Sequence, residues 1–156
     1  MRRIVSFLSL LVLIPASLVA RPAHADDGFK GIDTLHGTCK KLAVAGKERT
    51  SDCRGVLLNT RYADQRTGFY FVTTDGAMIT FSSPGELSQR ESKVAGAYPV
   101  DMMILKIEGD VRRVAAKGMC HTSKLTIATA KLNCLADSEL GRFEGEFVPG
   151  TKPPGS

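Results

Sequence analysis

The sequence predicts a mainly β fold, a small antiparallel barrel or sandwich of about eight strands stapled by two disulfides. Three observations predict it. Short β-branched and aromatic runs recur between turn residues, and helical periodicity is scarce. Four cysteines fall as two Cys-x13-Cys pairs, Cys39 with Cys53 and Cys120 with Cys134, with 66 residues between the pairs. The chain also opens with the three-part pattern of an export leader, which makes an even cysteine count read first as disulfides.

The leader spans residues 1–25. Arg2 and Arg3 form the basic start, Ile4 to Ala20 is the apolar run, and Ala23-His24-Ala25 supplies small residues before cleavage after Ala25. The apolar run has 17 residues with Pro15 inside, short of the roughly 20 that a membrane span needs. No later segment is apolar for longer, so no stable span is expected after cleavage. The expected location is the periplasm or the exterior. Cleavage leaves 131 of 156 residues, the size of one domain. Three of the 21 basic residues (Arg2, Arg3 and Arg21) go with the leader, which leaves 18 against 16 acids. The whole-chain pI of about 9.2 therefore overstates the basicity of the mature product, and charge gives no reason to expect nucleic acid as a partner.

Residues 26–37 read as a polar lead-in punctuated by Gly28, Gly31 and Gly37. A single β-domain is expected over 38–149 and a disordered tail over 150–156, where Pro153-Pro154 sits between small polar residues. The expected strands are Thr38–Val44, Thr50–Tyr62, Phe69–Thr74, Ala77–Ser83, Tyr98–Ile107, Val111–His121, Leu125–Leu135 and Arg142–Val148. Asp75-Gly76 between two apolar alternating runs is the clearest hairpin signal. Phe143 and Phe147 alternate with Glu144 and Glu146, the pattern of a half-buried strand. Glu86 to Val94 reads as a short helix or an exposed loop after Pro84-Gly85.

The equal cysteine spacing favours two local bridges, Cys39–Cys53 and Cys120–Cys134, although four cysteines allow three connectivities. A hairpin turning at Gly46 would set Cys39 opposite Cys53. The second pair has its midpoint at Ile127, where Ile127-Ala128 are poor turn residues.

Catalytic patterns are sparse. The segment after the leader has two histidines, His36 and His121, without metal-ligand spacing. Neither closely paired cysteines for zinc, a Cys-x-x-Cys redox pair, a Gly-x-Ser-x-Gly elbow nor a phosphate loop occurs. Cys120 and His121 would point to opposite faces of a strand, and Glu144 with Glu146 would face water. The basic residues Lys40, Lys41, Lys47, Arg49, Arg112, Arg113 and Lys117 read as solvated charge on loops and strand edges, where it discourages edge-to-edge pairing. No metal, cofactor or catalytic residue is expected.

Cys39 and Cys53, Gly68-Phe-Tyr-Phe71, Ile79-Thr-Phe-Ser82, Gly118-Met-Cys120 and Cys134 before the last aromatic strand resemble the pattern of a loose group of small exported bacterial proteins, mainly alphaproteobacterial, with paired cysteines and no assigned activity. The resemblance covers most of the mature region and implies an exported β-rich fold without implying an activity. The expected function is a noncatalytic binding or envelope-associated module, using the loops Tyr62 to Gly68 and Ser83 to Gly96. Its partner would be an envelope or extracellular protein or ligand. Alternatives are an inhibitor of a secreted hydrolase such as lysozyme, and a small ligand-carrying barrel or hydrolase. A filled interior would favour the surface binder, and an apolar cavity with converging polar groups the carrier or enzyme.

Overall fold

The computed structural model describes residues 28–87, 96–123 and 131–150. Nine strands form one antiparallel sheet: β1 (Phe29–Val44), β2 (Lys47–Glu48), β3 (Cys53–Tyr62), β4 (Thr67–Thr73), β5 (Met78–Ser83), β6 (Ala97–Ile107), β7 (Asp110–Thr122), β8 (Leu132–Ser138) and β9 (Gly141–Pro149). β1 and β3 to β9 pair in chain order, and β9 returns to β1. The result is a closed eight-stranded up-and-down barrel, with β2 as a short ninth strand on the end of β1. A 3-10 turn, Thr50–Asp52, leads from β2 into β3.

The alternation of each strand explains the closure. Leu35, Leu57, Phe69, Phe71, Ile79, Phe81, Met103, Leu105, Phe143 and Phe147 are all buried in one cluster. They sit at facing register positions, for example Leu57 with Phe71, Phe71 with Ile79, and Phe81 with Met103. Five phenylalanines are essentially inaccessible. Among the described residues the interior is tightly packed around Gly145, where a Cβ would come within 2.6 Å of the Phe71 ring and 3.0 Å of Phe81.

β1 closes the barrel by changing partners halfway. Phe29 to His36 pair with β3, and Gly37 to Ala43 pair with β9. At this fork three backbones crowd together. A Cβ on Gly37 would lie 2.2 Å from the Val148 carbonyl oxygen, and one on Gly55 would lie 2.4 Å from the Gly37 carbonyl oxygen. Residues 29–37 are therefore strand and not a polar lead-in. Their glycines serve close backbone approach, which a reading of composition takes for flexibility.

Both expected bridges are present, and the first has a different cause from the one the spacing suggested. Cys39 lies opposite Phe147, and Cys53 lies opposite Thr73, so the two are not cross-strand partners. Their disulfide, with Cα atoms 6.1 Å apart, spans the fork that opens between β1 and β3. Cys120 and Cys134 face each other directly on β7 and β8, with Cα atoms 4.0 Å apart. That register centres on Ile127, as the spacing implied, while the turn itself (124–130) lies outside the described residues.

Other boundaries move. The segment from Thr50 begins as a 3-10 turn, because Thr50 Oγ1 caps back to the Leu42 backbone and Asp52 N–H bonds the Arg49 carbonyl. The eighth strand runs later than expected, Leu132–Ser138, so Asp137 and Ser138 pair with β9 instead of forming a linker. Glu86 and Leu87 are not helical, and the rest of the expected helix, like the leader and residues 151–156, lies outside the described residues.

Candidate interaction surface

The topology divides the barrel into unlike ends. At one end the connections are short, at Ala45-Gly46, Thr74 to Ala77, Glu108-Gly109 and Glu139-Leu140, beside the longer turn through Thr50–Asp52. The other end carries the β3–β4, β5–β6 and β7–β8 loops and both ends of the described chain. The two loops expected to recognise a partner therefore share one end, although residues 88–95 of the second are not described.

Several side chains at that end are polar and buried, among them Asn59, Thr67, Ser83 and Thr122. Asn59 Nδ2 donates to Thr67 Oγ1 at 2.9 Å and to the Gly68 carbonyl at 3.2 Å. Arg61 pairs with Asp33 at 2.8 Å across the β1–β3 boundary. Phe29 meets Tyr62 edge to face, with ring centroids 5.8 Å apart. Arg66 makes a forked pair with Asp101, Nη1 to Oδ1 at 2.9 Å and Nη2 to Oδ2 at 2.8 Å, and Nη1 also donates to Ser82 Oγ at 2.9 Å. That fork is the geometry guanidinium and carboxylate prefer. The hydrogen bonds and charge of Arg66 hold the Asp101 carboxyl below its ordinary range.

The base of the β5–β6 loop is fastened separately. Glu86 Oε1 accepts the Gly96 N–H at 2.7 Å, and Tyr98 donates its hydroxyl to Glu86 Oε2 at 3.2 Å. Leu87 N–H bonds the Ala97 carbonyl at 2.8 Å. Burial, with the Glu86 charge adding to it, pushes the Tyr98 phenol up to about 12. Gly96 has φ +72°, and a Cβ there would fall 1.9 Å from Thr122 Oγ1. The loop thus rests on a built base, and its hydrogen bonds need these residues.

A second feature lies on the outer face of β7, β8, β9 and β1. Two hollows of about 360 and 350 Å³ adjoin at Asn133 and Leu135. Leu135 is 43% exposed between them. Lys40, Lys41, Glu144 and Glu146 line one hollow, and Lys117, His121 and Asp137 line the other. The carboxylates Glu144 and Glu146 do face outward, on either side of the inward Gly145. Lys41 is engaged by Glu48, and Arg49 by Asp52 and Asp75.

The remaining sequence candidates stay apart. His36 sits at the fork of β1, its carbonyl accepting Gly150 N–H and its buried Nδ1 without a hydrogen-bond partner among the described residues. His121 lies on the outer face of β7. Among the described residues no three His, Cys, Asp or Glu side chains gather as a metal site would need, and no helix is long and apolar enough to cross a membrane. The Arg66–Asp101 and Glu86–Tyr98 pairs went unseen in the sequence. They join residues 35 and 12 positions apart, and only the strand register brings them together.

In structural class, the chain is a disulfide-stapled, antiparallel eight-stranded barrel. Compared with protein-family models, curated proteins and solved structures, it finds no match in any of the three.

Proposed function

We propose that this chain is an exported, noncatalytic binding module that works in the periplasm or outside the cell. It would recognise an envelope or extracellular protein or ligand through the loop-bearing end of its barrel. The observation that carries this reading is the tight packing of the barrel interior among the described residues. Phe69, Phe71, Phe81, Phe143 and Phe147 occupy the space a carried ligand would need, so recognition falls to the outside. The polar rim of Asp33, Arg61, Asp64 and Arg66 offers charged, accessible groups on a rigid frame. Two disulfides fit an oxidising compartment.

The test is capture from envelope extract by the mature, oxidised domain, repeated with Arg61→Glu plus Asp64→Lys and with Glu108→Lys at the opposite end. The rim variant should lose the captured species, and Glu108→Lys should keep it. Capture that ignores the rim changes, or turnover of a substrate by the pure domain, would overturn the proposal.

A further inference from the structure

The strands of the barrel are staggered, and the stagger leaves part of β7 open along one edge. β7 pairs with β6 from Asp110 to His121. Its pairing with β8 begins only at Ala116, opposite Ser138, where β8 turns away into Glu139-Leu140. Residues 110–115 thus have a strand neighbour on one side only, and no other backbone bond reaches them from the described residues. The arm is exposed without a break from Lys106 to Arg113. Ile107 and Val111 are 44% and 49% exposed at its tip.

The turn decides which groups the edge offers. Glu108 and Gly109 have φ of 52° and 92°, a two-residue turn of the I′ kind between Ile107 and Asp110. In such a hairpin the flanking pair exchanges both ladder bonds. Asp110, Arg112 and Val114 therefore point their backbone groups toward β6, and Val111, Arg113 and Ala115 point theirs outward. Val111 and Arg113 each hold out an N–H and a C=O for a strand, and Ala115 stands where the β8 ladder begins.

Side chains select what that strand can be. A second copy of this chain could use all three residues only about a two-fold axis at Arg113, which sets two Arg113 side chains opposite each other. Moving the axis to residue 112 does the same with Arg112. Like charges directly opposite oppose pairing. An extended segment with carboxylates at those places meets both arginines favourably. Among the described residues, Arg112 holds only a 3.5 Å contact with exposed Glu139, and no ion pair engages Arg113. The first half of β1 is also open on one side, but it lies beside both ends of the described chain, where Ala63 N–H bonds Gly28 and Gly150 N–H bonds His36, and the open stretch of β6, Ala97 to Asp101, lies beside the base of the β5–β6 loop, where Leu87 N–H bonds the Ala97 carbonyl.

We propose that the free edge of β7, Val111 to Ala115, docks an extended acidic segment of a partner protein as an added strand. This rests on the binding-module reading for the existence of a partner, but it concerns the opposite end of the barrel from the rim.

The experiment titrates the mature, oxidised chain with two labelled peptides, an octamer of alternating Glu-Glu and Val-Val pairs (the Glu-Val peptide), which carries carboxylates on both strand faces, and its Lys-Val counterpart. The Glu-Val peptide should bind at least about tenfold tighter, and added salt should narrow the gap. Arg112→Glu with Arg113→Glu should invert the preference; both side chains are exposed, so the fold should stand. Val111→Pro deletes an outward N–H that β6 does not use and should weaken the Glu-Val peptide at least about fivefold with unchanged circular dichroism. Equal affinity for the two peptides, no binding of either at about 1 mM, or indifference to Val111→Pro would each overturn the proposal. So would concentration-dependent dimerisation that the Glu-Val peptide does not compete. The rim variant of the capture experiment should bind the peptide normally, so failure of one proposal is distinguishable from failure of the other.

Discussion

At the scale of single residues, positive φ angles sit at the turns of both barrel ends, and Gly96 at the base of the β5–β6 loop is the most tightly constrained of them. Gly96 combines φ +72° with a missing Cβ that would strike Thr122 Oγ1 at 1.9 Å. Gly96→Ala should cost roughly 2 kcal/mol or more in urea unfolding, since strain and overlap act together. Gly46→Ala, in the open at φ +80°, should cost less, about 1 kcal/mol. Tyr98 provides the pH signature of the same base. Its phenol ionises near 12 in the folded chain against an ordinary 10.0, so folding favours the protonated form. That contribution is complete below pH 10 and disappears as the pH rises through about 12. Ultraviolet titration should show one tyrosine ionising near 12, and Tyr98→Phe should remove that step and flatten the alkaline loss of stability. None of this was legible in the sequence, where Gly96 and Tyr98 sit at the border of an apparently structureless stretch. Asp75-Gly76 was legible, because a turn made of its own residues advertises itself.

At the scale of elements, what could be read depended on whether a strand answers to its neighbours in sequence. β4, β5 and β9 show their alternation or their turns locally, and they came out within two residues of expectation. The first half of β1 did not, because what makes it a strand is β3, 20 to 33 residues on. Its glycines look like a linker until Gly37 is seen against Val148. The consequence is testable. A chain starting at Thr38 retains the whole expected domain but lacks the partner of Val56 to Tyr62. It should fail to give the cooperative unfolding and β-type circular dichroism of a chain starting at Asp26. The fork also sets the role of the first bridge. Replacing Cys39 and Cys53 by alanine removes a closure over 14 positions, which should cost about 3 kcal/mol on the chain-entropy estimate. Hydrogen exchange should accelerate around the fork, at residues 37–43 and 53–57, and should leave β7–β8 protected by the Cys120–Cys134 link.

At the scale of the whole molecule, what fills the barrel decides what it can bind. Phe71, Phe81, Phe143, Met103 and Leu57 are buried in its core, with Asn59, Thr67 and Ser83 among the buried polar residues. A sequence shows that apolar residues alternate, but it does not show whether their summed volume fills the enclosed space or leaves a chamber. The packing appears only when Gly145 is found pressed against the Phe71 and Phe81 rings. Truncating Phe81 tests it directly. The side chain is fully buried, so Phe81→Ala should destabilise by about 3–5 kcal/mol, the cost of lost transfer energy plus an unfilled cavity. The new cavity is apolar and should bind a small apolar probe such as benzene, with a rise in melting temperature that tracks probe concentration. The unaltered chain should show no such rise, because its own phenylalanine already occupies the place. A stoichiometric apolar ligand taken up by the unaltered barrel would mean that the packed interior opens, and the carrier reading would then displace the surface one.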